Sequence, residues 1–412
     1  MITGCKIRAG LIGEHLTHSF SPRIHRELAD YPYRLIELRE EEVGEFLRTG
    51  DFDAINVTIP YKKTVIPYLN EVSDAAKRIG AVNTVLRRPD GSLFGDNTDY
   101  AGFSDLVSSL GVPLRGKKVL VLGSGGASRT AVCVAEDMGA RAVVVISRHG
   151  ADNYDNLERH ADAEIIINAT PVGMYPNNGK APLSLAGFPH LEGVLDMIYN
   201  PARTKLLQEA IARGIPAANG LLMLVSQARR AAERFLDTSI PDSEVERITA
   251  CIARETENLV LVGMPGCGKS TLGKLLATHL GREFLDCDAE IEREAGMPIP
   301  EIFATEGEEG FRARESEAVA RLCRESGKVI ATGGGVVTRA RNLPLLSQNG
   351  RVIFLDTPPE GLSTKGRPLS QKKTPEVLYA ERLPLYRAAA DITVPITRDV
   401  EENMKKILEA IQ

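Results

Sequence analysis

One short stretch in the second half of the chain restricts the fold more than any other. The run GMPGCGKST extends from Gly263 to Thr271 and follows the apolar segment 259–262. Its spacing lets consecutive backbone N–H groups curl around phosphate oxygens at a helix N-terminus, where the lysine neutralises charge and the serine hydroxyl can bind Mg²⁺. A strand-to-helix turn without a ligand would not require the Lys-Ser pair. The run therefore predicts a P-loop.

The P-loop also divides the chain, because such a loop normally follows the first strand of its domain. Everything before position 255 must then belong to another unit. After the P-loop, FLDCDAEIE predicts a strand that ends with Asp286 and Asp288 near the phosphates. One carboxylate in such a place can hold Mg²⁺. For Asp288 alone, the alternative is an acidic residue that stabilises a helix N-terminus.

Size and charge narrow the class of protein. A chain of 412 residues predicts two or three domains. With 43% apolar residues, 25% charged residues and a net charge of -5, it has the composition of a soluble globular protein and no basic footprint for nucleic acid. The six cysteines are scattered, which is typical of reduced thiols in the cytoplasm. We find no signal peptide or membrane span, and expect a cytoplasmic protein.

Polar side chains recur at predicted strand ends in the first hundred residues. HSFSP places Ser21 and Pro22 as the N-cap and first residue of a helix. NVTIPYK ends in Lys62, and GAVNT and GDNTDYAGF follow as two further polar strand ends. Each residue alone is equally well explained as a cap or a solvated side chain. Three such ends in one α/β unit predict a shared cleft beyond the strand C-termini.

A dinucleotide-type turn follows in KKVLVLGSGGASRTAVCVAEDMGA. Gly123 and Gly125 permit the tight bend and the close approach of a pyrophosphate to the helix. The third small residue is Ser128. The next predicted strand ends in Ser147 and Arg148, where an NAD site would place an acidic residue, whereas an arginine suits a 2′-phosphate. We therefore predict NADP and not NAD, the alternative being that Arg148 is an ordinary exposed arginine.

Residues 1–237 resemble shikimate dehydrogenase along their whole length. The matching motifs, in order, are HSFSP, NVTIPYK, GAVNT, NTD, GSGGAS, NATPVGM, DMIYNP and the segment 219–227. The resemblance implies NADPH-dependent reduction of 3-dehydroshikimate, with Lys62 and Asp99 as the catalytic pair, since a positioned donor must protonate the alkoxide that hydride transfer leaves. The implied substrate-binding residues are Ser19, Ser21, Thr58, Asn83, Tyr199 and Gln227. The implied cofactor-binding residues are Gly123, Gly125, Gly126, Ala127, Ser147, Arg148 and Gly220. A buried, structural Gln227 is the competing interpretation.

Residues 257–412 resemble shikimate kinase, through FLDCD, FRARE, TGGGVV, GRPLS and RLPLY after the P-loop. The resemblance implies transfer of the ATP γ-phosphoryl group to the 3-hydroxyl of shikimate. It implies that Lys269, Asp288 and the lid residue Arg367 are catalytic, and that Ser270 and Asp286 hold Mg²⁺. The implied substrate-binding residues are Arg312, Gly334, Gly335 and Arg382. The implied nucleotide-binding residues are Gly263, Gly266, Cys267, Gly268, Lys269, Ser270 and Thr271.

Together these patterns predict an α/β protein: a two-lobed dehydrogenase with a Rossmann-type NADP domain, followed by a P-loop kinase domain with a parallel sheet. The predicted boundaries are 1–100 for the substrate lobe, completed by a helix at 221–237, then 101–220 for the NADP lobe, 238–256 for a partly helical linker and 257–412 for the kinase. Small-molecule substrates, and other enzymes of the same pathway, are the expected partners; nucleic acid and membranes are not. Two alternatives stay open: one half is a degenerate shikimate-binding regulatory module, or the dehydrogenase is an NAD-linked quinate/shikimate type.

Overall fold

The computed structural model describes residues 7–16, 19–362 and 374–411. Arg367 lies outside the described residues. The chain divides into two compact units. The first comprises Met1–Gly173, Ala181–Tyr199 and Glu209–Ile252, and the second Met174–Lys180, Asn200–Gln208 and Ala253–Gln412. In the described part of the chain, no helix combines the length and apolar character needed to span a bilayer.

The first sheet of unit 1 has six strands in the order β2-β1-β3-β5-β6-β4. The strands are β1 (Ala9–Gly13), β2 (Tyr33–Glu37), β3 (Ala54–Val57), β4 (Glu71–Val72), β5 (Thr84–Arg87) and β6 (Leu93–Asp96). The helices are α1 (Ser21–Leu28), α2 (Glu40–Thr49), α3 (Asp74–Ile79) and α4 (Asp99–Ser109). Because β5 runs antiparallel to β3 and β6, its first residue lies at the edge where those two strands end.

Two local predictions for this lobe are wrong. Helix α1 begins at Ser21 and its N-cap is Phe20, so Ser21 is not the cap. Instead the Ser19 hydroxyl accepts a hydrogen bond from the Ser21 backbone N–H at 3.2 Å. The GAVNT run is also not a strand end, because Thr84 starts β5. It still reaches the shared edge, since an antiparallel strand begins where its neighbours finish.

The second sheet of unit 1 has five parallel strands in the order β11-β10-β9-β7-β8. These strands are β7 (Lys118–Leu122), β8 (Ala142–Ile146), β9 (Ile165–Asn168), β10 (Gly193–Asp196) and β11 (Ala217–Asn219). The accompanying helices are α5 (Gly126–Asp137), α6 (Lys205–Ala212), α7 (Leu221–Leu236) and α8 (Asp242–Thr256). Residues 119–122 are fully buried, as expected for a parallel strand covered on both faces.

The segment 238–256 contains α8, which starts at Asp242. Val245, Ile248 and Ile252 are buried and share a cluster with apolar residues of α1 and α7. Their spacing of three and four residues places them on one face of the helix, which explains why a segment with many charges still packs. The domain boundaries on either side of this segment remain a prediction.

Unit 2 contains a five-stranded parallel sheet in the order β13-β14-β12-β15-β16. Its strands are β12 (Asn258–Val262), β13 (Phe284–Asp286), β14 (Val329–Ala331), β15 (Gly350–Asp356) and β16 (Ile392–Pro395). Its helices are α9 (Lys269–Leu280), α10 (Cys287–Ala295), α11 (Ile299–Leu322), α12 (Leu343–Ser347), α13 (Pro375–Ala389) and α14 (Val400–Ile411). Gly307, with a φ of 72°, kinks α11. The second part of that helix carries Arg312 and Glu315.

Candidate active sites

An ion pair lies at the edge of the first sheet. The Lys62 Nζ donates to Asp99 Oδ2 at 2.6 Å, and the two side chains are 29% and 16% exposed. Lys62 is placed by the loop that leaves β3, and its carbonyl accepts from the Val82 N–H at 2.8 Å. Asp99 is the first residue of α4. Two residues that are 37 positions apart thus form a half-buried pair that solvent and a ligand can reach.

Asn83 anchors the start of α4 next to this pair. Its side-chain oxygen accepts from the Thr98 backbone N–H at 2.8 Å, and its amide nitrogen donates to the Thr98 hydroxyl at 3.1 Å. Both residues are buried. Since Thr98 directly precedes Asp99, these bonds fix the backbone from which the Asp99 carboxylate projects.

Three further predicted substrate residues lie on other segments of unit 1. Thr58 follows β3 and bonds through its N–H to the Ile12 carbonyl at 3.0 Å. Tyr199 packs edge-on against Phe20, between the two predicted serines in sequence, with ring centroids 5.9 Å apart. Gln227 lies on α7 against α4, where a Cβ at Gly102 would come within 2.9 Å of the Gln227 Cβ.

Gln227 is only half-buried, and its amide nitrogen donates to the Leu224 carbonyl at 2.8 Å. Gly102 is one helical turn after Asp99. The interpretation of Gln227 as a fully buried residue therefore does not describe its position, and its role as a substrate ligand stays a prediction.

The glycine turn of the second sheet leads from β7 into α5. Gly123 has a φ of 109°, a conformation that favours glycine, and a Cβ there would lie 3.1 Å from the Ala169 carbonyl oxygen. A Cβ added to Gly125 or Gly126, by contrast, would have no atom within 4 Å. The N-terminus of α5, which Ala127 continues, is thus open for a phosphate group.

This turn lies at the switch point of the sheet, because β7 pairs with β8 on one side and β9 on the other. Ser147 and the exposed Arg148 follow β8 at the same edge. Gly220 lies at the N-terminus of α7, where any Cβ would collide with the Met197 carbonyl. The predicted cofactor residues therefore share the carboxyl edge of this sheet or the loop that leaves it.

The P-loop connects β12 to α9 in unit 2. Gly263, Gly266 and Gly268 have φ values of 151°, 91° and 91°, so this loop requires glycine at all three positions. The buried Lys269 donates from Nζ to the carbonyls of Gly263 at 2.9 Å and Met264 at 3.0 Å. Cys267 is buried beneath the loop, and Thr271 is in the first turn of α9.

A serine and a carboxylate meet beside the P-loop. The Ser270 hydroxyl donates to Asp286 Oδ2 at 2.6 Å. The other Asp286 oxygen accepts from the Asp288 N–H at 3.0 Å and thereby caps α10. Two oxygen ligands placed together next to a phosphate loop fit the way in which proteins hold Mg²⁺, through one or two side chains plus substrate phosphates.

A cavity of about 450 Å³ opens from the P-loop. Its polar walls include Asp288, Arg312, Glu315, the glycine run 333–335 and Arg382. The glycine run must lack side chains, because a Cβ at Gly335 would collide with the Arg312 guanidinium and a Cβ at Gly334 would lie 2.5 Å from Pro265. The size and the two arginines suit a small anionic ligand.

The two arginines are held by different partners. Arg312 donates to Glu315 Oε2 at 2.7 Å, and both side chains are buried. Arg382 donates to the Gly334 carbonyl at 2.9 Å. Glu315 was not predicted as a site residue from the sequence, although its position three residues after Arg312 on a helix was the available signal.

Asp288 is the acidic group inside the cavity. The residue is half-buried, and its Oδ1 has no hydrogen-bond partner among the described residues. Burial raises the pKa of Asp288 to about 6; the nearby carboxylates of Asp286 and Glu315 raise this pKa further, and Lys269 lowers it. A carboxylate with a free oxygen and a pKa near the working pH is suited to accept a proton.

Lowering the pH through about 6 should reduce phosphoryl transfer, because an Asp288 carboxyl that is already protonated cannot take the proton of the acceptor hydroxyl. The sign for stability is opposite: a carboxyl whose folded pKa is raised favours the folded state more as the pH falls. The kinase rate measured from about pH 5 to 8, with the dehydrogenase rate of the same sample as a check on folding, tests this. A kinase rate that stays constant across that range would contradict it.

Two α/β lobes, one of them with a glycine turn at the switch point of its sheet, followed by a P-loop unit, have the architecture of a Rossmann-type dehydrogenase joined to a P-loop kinase. Residues 11–85 match the family model of the shikimate dehydrogenase substrate binding domain. Residues 265–412 match the family model of shikimate kinase.

A curated relative, the shikimate dehydrogenase (NADP(+)) of Clostridium beijerinckii, is 36% identical over 265 residues, which cover 60% of this chain and 98% of the relative. Shikimate dehydrogenase 1 of Peptoclostridium difficile is a solved structure with 36% identity and a TM-score of 0.55, covering 59% of this chain and 97% of its own. Shikimate 5-dehydrogenase of Thermus thermophilus, solved in complex with NADP(H) and shikimate, has 31% identity and a TM-score of 0.53, with 60% and 99% covered. The chain therefore belongs to the shikimate dehydrogenase family and carries a shikimate kinase domain after it, as a bifunctional enzyme of the shikimate pathway.

Proposed function

We propose that the first unit reduces 3-dehydroshikimate to shikimate with NADPH, and that the second transfers the γ-phosphoryl group of ATP to the 3-hydroxyl of shikimate with Mg²⁺. The observation that carries this proposal is that both sets of reactive side chains are intact in one chain: the Lys62–Asp99 pair and the P-loop cavity with Asp288 and its two arginines. The product of the first reaction is the substrate of the second.

The dehydrogenase chemistry needs a proton donor at the carbonyl oxygen. NADPH supplies the hydride when it is bound. In our proposal Lys62 then stabilises the oxygen that gains negative charge and gives it a proton, which completes the alcohol. Asp99, 2.6 Å from the Lys62 Nζ, orients the amine. The remaining predicted residues bind the carboxylate and hydroxyl groups of the substrate.

The preference for NADP rests on Arg148. This arginine is exposed at the end of β8, beside the open glycine turn, where its charge is free to meet a 2′-phosphate. The name of the Clostridium beijerinckii relative and the complex of the Thermus thermophilus enzyme support the same coenzyme. An NAD-linked enzyme of quinate/shikimate type is the alternative, and it would find no acidic residue for the ribose at this position.

The kinase chemistry depends on the alignment of the reactants and on neutralisation of the phosphate charge, because the protein forms no covalent bond in direct phosphoryl transfer. ATP supplies the phosphoryl group when it is bound. We assign the P-loop amides and Lys269 to the phosphates, and Ser270 with Asp286 to Mg²⁺. Asp288 holds the acceptor hydroxyl. Arg312 and Arg382 bind the carboxylate, and Arg367 is proposed as the lid residue from the sequence alone.

The competing proposal is that one half is a degenerate shikimate-binding regulatory module. Such a module has no need of reactive groups, whereas Lys62, Asp99, Lys269 and Asp286 are all present. Lys62 is bonded to Asp99, Lys269 to a P-loop carbonyl, and Asp286 to Ser270. We also retain the domain assignment: a substrate lobe at 1–100 completed by 221–237, an NADP lobe at 101–220, a linker at 238–256 and the kinase at 257–412.

A single coupled assay tests the whole proposal. The full chain is given 3-dehydroshikimate, ATP and Mg²⁺ with either NADPH or NADH at equal concentration, and coenzyme oxidation, ADP and shikimate 3-phosphate are followed. We expect faster oxidation of NADPH and the later appearance of the phosphorylated product. Faster oxidation of NADH would overturn the coenzyme assignment. Coenzyme oxidation without ADP release would support only the dehydrogenase half of the proposal. If the coenzyme is not oxidised but added shikimate still causes ADP release, only the kinase half is supported.

A further inference from the structure

We propose that Tyr386, on α13, is a positioning residue of the kinase site: its hydroxyl holds the peptide group between Gly334 and Gly335 so that the Gly335 N–H can bind the substrate carboxylate. This inference rests on the proposed function in treating Gly335 and Arg382 as ligands of that carboxylate. Tyr386 is the last residue of the RLPLY run. The sequence indicated a role only for the arginine of this run, because a tyrosine on a helix is normally explained by packing.

The hydroxyl group of Tyr386 donates a hydrogen bond to the Gly334 carbonyl. The Tyr386 ring is fully buried and is stacked on that of Phe354, on β15, with centroids 4.9 Å apart and planes 14° apart. Burial raises the pKa of Tyr386, so the hydroxyl keeps its proton and acts as the donor. The stack fixes the ring, and the ring fixes the direction in which the hydroxyl projects.

The Gly334 carbonyl has a second donor on the same helix. Arg382 is one helical turn before Tyr386, on the same face of α13, and its Nη1 donates to this oxygen at 2.9 Å. A carbonyl oxygen has two lone pairs, so it can accept both bonds. In addition, a Cβ on Gly334 would lie 2.5 Å from Pro265 of the P-loop. Gly334 is therefore packed against the P-loop and bonded to two side chains of α13.

The orientation of this carbonyl also determines where the next N–H points. The Gly334 C=O and the Gly335 N–H belong to one planar peptide group, in which they point in opposite directions. Among the described residues, the Gly335 N–H has no hydrogen-bond acceptor. Gly335 lines the cavity beside the Arg312 guanidinium. Because two adjacent glycines offer little resistance to rotation of the peptide group between them, its orientation depends on the donors of α13.

Of the two donors, Tyr386 is the one that can stay in place when the substrate binds. In the proposed function Arg382 divides its N–H groups between the Gly334 carbonyl and the substrate carboxylate, whereas the Tyr386 hydroxyl has a single proton and a ring fixed by the stack. Replacing Tyr386 by phenylalanine keeps the ring and removes only the bond to Gly334. The expected consequence is weaker binding of the carboxylate with little change in the chemical step, which distinguishes a positioning group from a catalytic one.

The kinetic test uses the full chain with Tyr386→Phe. We expect KM for shikimate to rise about tenfold, kcat of the kinase to change less than about threefold, and KM for ATP and the reductase rate to stay unchanged. The matched control is Tyr379→Phe. Tyr379 is half-buried on the same helix, and its hydroxyl donates to Asp356 Oδ1 at 2.6 Å and not to the glycine run. The control should leave KM for shikimate within about twofold of the parent.

Hydrogen exchange separates positioning from general loosening of the kinase unit. Shikimate alone is added to the parent and to Tyr386→Phe at the same fractional saturation, and amide exchange is followed in a peptide that covers residues 332–338 and in one that covers β12. In the parent, shikimate should slow exchange in 332–338. In Tyr386→Phe this slowing should be at least about twofold smaller, while exchange in β12 stays the same.

The inference is overturned by an unchanged KM for shikimate in Tyr386→Phe or by an equal rise in Tyr379→Phe. It is also overturned by a slowing in 332–338 that is absent from the parent or equal in both chains, or by faster exchange in β12 of the variant. Should Tyr386→Phe lose its thermal transition, the hydroxyl is needed for folding and the inference fails. A parent chain that releases no ADP with shikimate as acceptor would refute the proposed function instead.

Discussion

Replacing Lys62 with alanine should lower the rate of 3-dehydroshikimate reduction about a thousandfold and leave phosphoryl transfer unchanged. The side chain is a half-buried cation whose Nζ is bound to Asp99 at 2.6 Å. Without it, the oxygen that receives negative charge after hydride transfer has neither a proton nor a positive neighbour. The measurement is the initial rate of NADPH oxidation, with the ADP release of the same preparation as the internal reference.

Lys63 provides the matched control for this change. It follows Lys62 in the same loop and is exposed. Lys63→Ala removes the same charge from the same region, so it should retain most of the reductase rate if position matters more than net charge. Equal losses in Lys62→Ala and Lys63→Ala would show that the loop contributes only its electrostatic field, and would refute the assignment of Lys62 as the donor.

Replacing Lys269 with alanine should lower phosphoryl transfer at least about a hundredfold and leave ketone reduction unchanged. In the P-loop, this side chain is buried and donates to the Gly263 and Met264 carbonyls, which holds its charge at the start of α9. The phosphate charge would lose its fixed cation, and the loop would lose two hydrogen bonds. ADP release with shikimate as acceptor measures the first effect.

Lys269→Ala has two expected effects, the loss of the cation that binds phosphate and the loss of two hydrogen bonds in the loop. The affinity for nucleotide measures the first, and the temperature of thermal unfolding measures the second. Lys274, on the same helix, supplies the control because it is exposed and its Nζ lies 5.9 Å from the Phe284 ring centroid, away from the loop. Lys274→Ala should keep the kinase rate. A variant Lys269→Ala that keeps phosphoryl transfer while folded would remove the P-loop from the mechanism. If either lysine change silenced both activities in a folded chain, the description of two separate sites would be wrong.

The local motifs were predictable from the sequence because each follows from backbone geometry over a few residues. The P-loop glycines Gly263, Gly266 and Gly268 all have positive φ, and Gly123 does so in the dinucleotide turn. The fold class and the two families are confirmed by the comparisons. The roles of individual site residues remain predictions, which the experiments above address.

Errors arose where strand direction or a neighbouring segment decided the outcome. Asn83 was placed at the end of a strand, but it precedes β5, and only the antiparallel pairing of that strand brings it to the shared edge. Ser21 has the residue type of an N-cap, yet the chain enters the helix one residue earlier, at Phe20. Neither result can be derived from a window of local sequence.

By itself, the sequence determined which side chains are available and where tight turns must occur, because both depend on the residue and its immediate neighbours. The P-loop is one of these tight turns, and it is the feature of the sequence that restricts the fold most. Only the tertiary structure decided what surrounds each group: an Asp288 oxygen without a hydrogen-bond partner among the described residues, the raised pKa of Asp288, and the burial of Glu315 against Arg312. These properties depend on burial and on contacts between residues far apart in sequence, and such contacts exist only once the sheets and helices have packed.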